Sequence, residues 1–197
     1  MASRVREKIV DAALDRFHAL GYSACGVQEI VDKAGVPKGS FYNYFKAKEL
    51  LALEVLEIYA RGSKRESLAE RNIPPLKRLR DHFELMASRY AAFGYHKGCL
   101  IGNLAAEASE ETPLLRKALA QSLKRWTQAI TAVLQEGQRD RSIIASLDPA
   151  KTARFLINSW EGAIIRMKIE DSRQPLDDFF AITFPLLAAA KSKKTAS

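Results

Sequence analysis

Cysteine is scarce in this 197-residue sequence. Cys25 and Cys99 lie far apart and are too few for a disulfide framework, so reduced thiols in a cytoplasmic setting are expected. No apolar run approaches the roughly 18 residues of a membrane span. The opening MASRVREKIVDAAL mixes charge into an apolar pattern, which a secretory leader does not do. With only 10 Gly and 7 Pro the composition is neither fibrous nor that of a disordered chain. Strand signals are also missing: there is no sustained apolar/polar alternation and no Asn-Gly or Asp-Gly hairpin turn. The chemistry of common enzymes is absent too. His18, His82 and His96 are scattered with no Glu-x-x-His pair, and neither a phosphate-binding glycine loop nor a Gly-x-Ser-x-Gly elbow occurs. No catalytic residue, metal ligand or cofactor is therefore assigned. The Gly98 to Gly102 spacing resembles a membrane dimer motif, but without an apolar span it carries no such meaning.

What is present is a globular composition, 47% apolar and 27% charged, in a length that fits one large domain or a small one joined to a larger. The net charge of +8 and pI near 9.5 favour a polyanionic partner, but position matters more than the total. Lys33, Lys38, Lys46 and Lys48 follow one another with no acid between Asp32 and Glu49. A second cluster, Arg61, Lys64, Arg65, Arg71, Lys77, Arg78 and Arg80, has no aromatic side chain among its basic ones and reads as a solvated helix face.

Helical spacing recurs throughout and predicts an all-α fold. Ile9, Ala13, Phe17 and Leu20 share one face of a first helix that Gly21 ends, and Val27, Ile30, Val31 and Ala34 stripe a short second helix with Gly35 placed to leave it in the left-handed conformation. Pro37 suits the first position of a third helix of about two turns. Its inward face is Val36, Phe41 and Phe45, which leaves Lys38, Gly39, Ser40, Tyr42 and Asn43 outward. The run KAKELLALEVLEIYA predicts a fourth helix, and the breakers beyond residue 60 delimit five more, arranged as a bundle. The terminal KSKKTAS reads as a frayed basic tail.

A second helix, a tight glycine turn and a short third helix showing Lys, Gly, Ser, Tyr and Asn form a helix-turn-helix pattern. Lysines neutralise phosphates, hydroxyls donate to phosphate oxygens, and Gly39 admits a close backbone. The alternative reading of the same residues is a connecting helix with a solvated charged face. Residues 21 to 51, GYSACGVQEIVDKAGVPKGSFYNYFKAKELL, resemble the DNA-binding domain of the TetR/AcrR family of bacterial regulators. The likeness lies in the Gly-aromatic pair, Ala-Gly-Val, Lys-Gly-Ser, the aromatic cluster and Lys-Glu-x-Leu, and is strongest over residues 4 to 55. It implies a helix-turn-helix head over 1–50 and a ligand-binding and dimerisation domain over 51–197. It further implies a homodimer on a pseudo-palindromic operator. The family's DNA contacts fall on Gln28, Lys38, Gly39, Ser40, Tyr42, Asn43, Tyr44 and Lys48, with Gln28 suited to adenine and Lys38 to guanine, and with Arg4 and Arg6 as a loose arm along the backbone. This chain departs from the family at Cys25 and Gly26, where a hydroxyl often caps the second helix; Gly26 caps less well.

The segment GYHKGCLIGNLAAE resembles the subgroup of N-ethylmaleimide-responsive repressors, with Cys99 opening a helix. A thiol there, beside Lys97 and His96, has grounds for a lowered pKa and reactivity; the opposing reading is a cysteine packed as a small hydrophobe. Cys25 reads as core. Tyr90, Phe93, Cys99, Asn103, Trp126 and Trp160 are the ligand-pocket candidates, against plain core for the tryptophans. Glu107, Glu110 and Glu111 read as a solvated helix end. Dimerisation is expected on the last two helices, with Phe155, Trp160, Phe179, Phe180 and Phe184 as candidates. The expectation is a DNA-binding regulator, a repressor released by a small molecule or electrophile; the alternatives are a helical-bundle enzyme or carrier, an activator, or a ligand-independent binder.

Overall fold

Nine helices follow one another along residues 2–189, the part of the chain described by this computed structural model, and no strand forms among them. The tail KSKKTAS lies outside the described residues. In order the helices are α1 (Ala2–Leu20), α2 (Val27–Ala34), α3 (Lys38–Tyr44), α4 (Lys48–Gly62), α5 (Pro75–Ala92), α6 (Leu100–Glu107), α7 (Pro113–Arg139), α8 (Pro149–Glu170) and α9 (Gln174–Leu187), with a 3-10 turn at Arg65–Ala69 between α4 and α5. The all-α reading and the five helices expected beyond residue 60 are both found.

The chain parts into two compact units. One holds the chain through Ser63 together with His96–Lys124; the other holds Lys64–Tyr95 and the chain from Arg125 onward. In the first unit the apolar positions of four short helices converge: Ile9, Ala13, Phe17, Ile30, Val31, Phe41, Leu51 and Val55 are fully buried. Each large side chain so enclosed stabilises by roughly 1.5–3 kcal/mol, which is what holds α3, at two turns too short to persist alone. Leu20, expected on the inner face of α1, is 43% exposed, because the helix ends there and Gly21 turns the chain away at φ +84°.

Local signals explain the boundaries. Gly35 closes α2 in the left-handed region, with its N–H on Asp32 O and that of Val36 on Val31 O. Pro37 stands one residue earlier than expected, at the cap of α3 rather than inside it, in an extended conformation. Glycine at position 26 caps α2 with no side-chain bond.

The second unit is built on an aromatic cluster. Phe83 lies 5.0 Å from both Trp160 and Phe179, centroid to centroid, and Trp160 lies 5.0 Å from Phe179. The Asp148 carboxylate caps α8 by accepting from Ala150 and Lys151 N–H, both at 2.9 Å. Asp171 ends α8 in the left-handed region, so that α9 doubles back against it.

The second basic cluster is not uniformly solvated. Arg78 is 2% exposed and ion-paired with Glu136, the Arg65 guanidinium lies 5.2 Å from the Trp126 ring, and that of Arg80 lies over Phe180 and Phe184. Guanidinium groups settle on aromatic faces, and composition alone did not reveal that aromatics lay beneath them. The dimer candidates also need correction: Trp160, Phe179, Phe180 and Phe184 are interior, and only Phe155, 65% exposed, faces out. On two packed helices the apolar stripes are wide enough to serve both a core and an outer face, and only packing assigns each residue to one of them.

Candidate nucleic-acid interface

Within the first unit, α3 turns Phe41 and Phe45 inward, their rings 5.8 Å apart, and both are buried. Helical geometry then leaves Lys38, Gly39, Tyr42 and Asn43 exposed on the opposite face, with Ser40 and Tyr44 half-buried at its edges. Tyr42, a large aromatic, is 56% exposed. Gly39 is equally telling. A side chain at its position would meet nothing within 4 Å, and it stands in the first turn of α3, where glycine remains a poorer helix former than alanine. No neighbour among the described residues requires a glycine there.

Gln28 is exposed on α2, and its amide donates to Asp32 Oδ1 at 2.7 Å. That bond is surface-exposed and can exchange for a base edge at little cost. Lys48 is placed differently from the other candidates. Its ammonium donates to Tyr22 O at 2.8 Å and Cys25 O at 3.0 Å and stands 4.2 Å from the centre of the Tyr22 ring; burial lowers its pKa. It fastens the α1–α2 turn to the start of α4, with one of its three N–H donors left over. The expected arm is absent: α1 is already helical at Ala2, and Arg6 forms a paired contact with Glu54, Nη1 to Oε1 at 2.8 Å, while lying over Phe45. Arg4 is exposed on that helix rather than on an arm.

Segments far along the sequence fix this head from behind. The Glu107 carboxylate, at the end of α6, accepts from Tyr22 N–H at 3.1 Å and Ser23 N–H at 2.7 Å. It is therefore no solvated helix end. Gly21 makes room for it, since a Cβ there would fall 2.1 Å from Glu107 Oε1. His18 Nε2 bonds Gly98 O at 2.8 Å. Lys97 bonds Asp15 at 2.9 Å, and with Arg16 beside it holds that carboxyl well below the usual carboxylate range. Glu49 Oε1 accepts from Leu114 and Leu115 N–H, both at 2.9 Å, capping α7 from a distant segment. None of these pairings has a signal in local spacing.

The ligand candidates divide between the units. Cys99 and Asn103 belong to the first. Cys99 caps α6 and is 5% exposed, with no disulfide, and Cys25 is wholly buried, as expected. The Asn103 amide donates to Lys97 O at 3.0 Å, closing the turn that holds Cys99. Tyr90, Trp126 and Trp160 are brought together in the aromatic cluster of the second, while Phe93 is 45% exposed at its edge. His82 joins them unforeseen. Trp126 Nε1–H donates to His82 Nε2 at 2.9 Å, and indole nitrogen can only donate, so His82 carries its proton on Nδ1. Burial first, and Arg65 second, push its pKa down to about 4. Its buried Nδ1 has no hydrogen-bond partner among the described residues. Histidines scattered through a sequence give no hint of such a site.

Comparison with known proteins settles the family. The profile described as bacterial regulatory proteins, tetR family, matches residues 9–55, and that described as tetracyclin repressor-like, C-terminal domain, matches residues 75–183. The chain belongs to the TetR family. It is 38% identical over 186 residues to the HTH-type transcriptional repressor DhaR of Mycobacterium sp. strain GP1, covering 93% of this chain and 92% of that one. It is 28% identical to the repressor NemR of Escherichia coli K12, over 82% of each. The crystal structure of regulatory protein TetR from Rhodobacter sphaeroides superposes with a TM-score of 0.86 at 32% identity, over 93% of this chain and 99% of that one. The reduced form of E. coli NemR gives 0.83 at 27%, over 95% and 98%. The protein is thus a DNA-binding transcriptional regulator and not an enzyme, and the carrier alternative falls with the enzyme one. TetR-family regulators bind DNA operators and small-molecule ligands and act as dimers. No helix among the described residues is long and apolar enough to cross a membrane.

Proposed function

We propose that this TetR-family protein is a cytoplasmic repressor which, as a homodimer, places two copies of α3 in successive major grooves of a pseudo-palindromic operator, roughly 34–36 Å apart. The observation that carries this is the outer face of α3: Lys38, Gly39, Tyr42 and Asn43 exposed above a buried Phe41, with a glycine that no neighbour among the described residues explains. In this reading Gln28 and Lys38 contact base edges or phosphates. Ser40, Tyr42, Asn43 and Tyr44 contact the backbone and adjoining edges, and Lys48 offers its remaining N–H to a phosphate. Residues 1–50 are the DNA-binding head, and the remainder senses and dimerises.

Release follows from a small molecule or an electrophile that binds the operator-incompetent form better. Tyr90, Trp126 and Trp160, with His82 as a neutral donor, supply an apolar, polar-tipped environment for the first within the second unit, with Phe93 at its edge; Asn103 and Cys99 belong to the other unit. Cys99, with its backbone tied through Gly98 to His18 of the head, is the place for the second. The relatives named as repressors support this direction of control.

The test is binding of the purified full chain to the DNA upstream of its own gene, at two salt concentrations and against unrelated DNA. Specific binding with a steep salt dependence is expected. Weak binding equal on both DNAs would overturn the reading for that site.

A further inference from the structure

Acidic side chains suit the start of a helix and are disfavoured near its end, where the free carbonyls carry the negative pole. Glu29, in the first turn of α2, follows that rule. Asp32 does not. It stands two residues before Ala34, the last residue of α2, and aspartate is also among the poorer helix formers. It is exposed and heads the run in which Lys33, Lys38, Lys46 and Lys48 follow with no acid among them. On a surface that meets phosphates a carboxylate there opposes binding, so its presence calls for another cause.

The contact it makes supplies one. Asp32 Oδ1 accepts from Gln28 Nε2 at 2.7 Å, one helical turn back on the same face. A Gln–Asp pair at that spacing adds little to the helix itself. It does orient the amide. A free glutamine amide can turn either its oxygen or its NH2 toward a given side, but an ionised carboxylate only accepts, so it holds the NH2 and repels Oε1. One N–H is committed to Asp32, and Oε1 with the second N–H is left for a further partner.

We infer that Asp32 is a specificity-determining positioning residue: by holding one N–H of Gln28 it leaves one acceptor and one donor for a base edge, which selects adenine over guanine at the base pair Gln28 meets. Adenine presents N7 as acceptor and its N6 amine as donor, the complement of that pair. Guanine presents two acceptors, N7 and O6, and sets O6 against Oε1. Without Asp32 the amide is free to turn its NH2 toward guanine. The bond to Asp32 is exchangeable, yet adenine does not require its loss, since the NH2 has a hydrogen for each partner. The inference rests on the reading of Gln28 as a base contact and names what fixes its choice.

The experiment is fluorescence anisotropy of the full chain with the DNA upstream of its own gene and with duplexes in which each base pair of the bound site is changed in turn, in both half-sites together. The variants are Gln28→Ala, Asp32→Ala, Asp32→Glu and the double Gln28→Ala/Asp32→Ala. Both positions are exposed, so the fold should survive each change, checked by far-ultraviolet circular dichroism. The parent is expected to favour adenine over guanine about tenfold or more at one position per half-site, and Asp32→Ala to fall below about threefold there. Gln28→Ala should lose the preference at that position alone. Asp32→Glu, which keeps an acceptor-only carboxylate, should retain it, and in the Gln28→Ala background loss of Asp32 should leave the base preference unchanged.

An Asp32→Ala protein as selective as the parent would overturn the positioning role while leaving Gln28 on its base. So would an Asp32→Glu protein as relaxed as Asp32→Ala, or a further change of preference in the double variant, which would mark an effect of charge not exerted through Gln28. If Gln28→Ala alters no position, or alters one where the parent does not favour adenine, the inference falls and the operator reading stands on α3. A parent without specific binding would overturn the operator reading for that site, and this inference with it.

Discussion

Replacing Gly21 with alanine tests how α6 holds the DNA-binding head. Gly21 lies at φ +84°, a conformation that costs an L side chain roughly 1–2 kcal/mol. The new Cβ would fall 2.1 Å from Glu107 Oε1 and 2.9 Å from its Cδ, so the carboxylate must leave. It would abandon the Tyr22 and Ser23 N–H groups. Ser23 is exposed and water replaces its partner, but the part-buried Tyr22 amide loses a charge-assisted bond worth about 1–2 kcal/mol. The total is about 2–4 kcal/mol, a fall of roughly 4–16 °C in unfolding temperature for a chain of this size. The assay is thermal and denaturant unfolding at one fixed protein concentration, with Glu107→Ala and the double variant completing a cycle. Since both single changes break the same bond, the double should cost about 1–2 kcal/mol less than their sum. A Gly21→Ala protein within 0.5 kcal/mol of the parent, or strictly additive effects, would refute the clamp.

Three further outcomes are expected. Lys38→Ala should weaken operator binding and reduce the salt slope by about one unit per subunit, measured by fluorescence anisotropy; an unchanged slope removes Lys38 from the phosphates. His82 is depressed from 6.5 to about 4 in the folded protein, so the unfolded chain takes up its proton first as pH falls. Stability should therefore drop by roughly 3 kcal/mol between pH 6.5 and 4 relative to a His82→Gln variant, which keeps an acceptor for Trp126; parallel pH profiles would contradict the buried neutral imidazole. Cys99→Ser should retain operator binding but lose any release by N-ethylmaleimide, and a variant still released by the reagent would exclude the thiol as sensor.

The head was readable because its signals are local. Gly35, Pro37 and the Phe41/Phe45 pair each act within one turn of chain, so spacing alone placed α2, the turn and α3 and told which face of α3 points outward. Lys48 shows where that reading stops. Its residue type and position suit a phosphate contact, yet two carbonyl oxygens and a tyrosine face hold most of its ammonium. Glu107 and Arg78 were read as solvated for the same reason: a charged residue on a helix looks solvent-facing until its partner, 85 or 58 residues away in sequence, is known.

The sequence by itself determined the all-α class, the helix-turn-helix and its outward residues, because hydrophobic period, glycine and proline act over a few residues and carry their meaning with them. Tertiary structure alone decided which of two apolar stripes on α8 and α9 is core and which is open, why Gly21 is glycine, and that His82 is neutral with its proton on Nδ1. Those properties belong to pairs of residues that meet only when the chain is folded, and their energies depend on burial and distance, which no local pattern encodes.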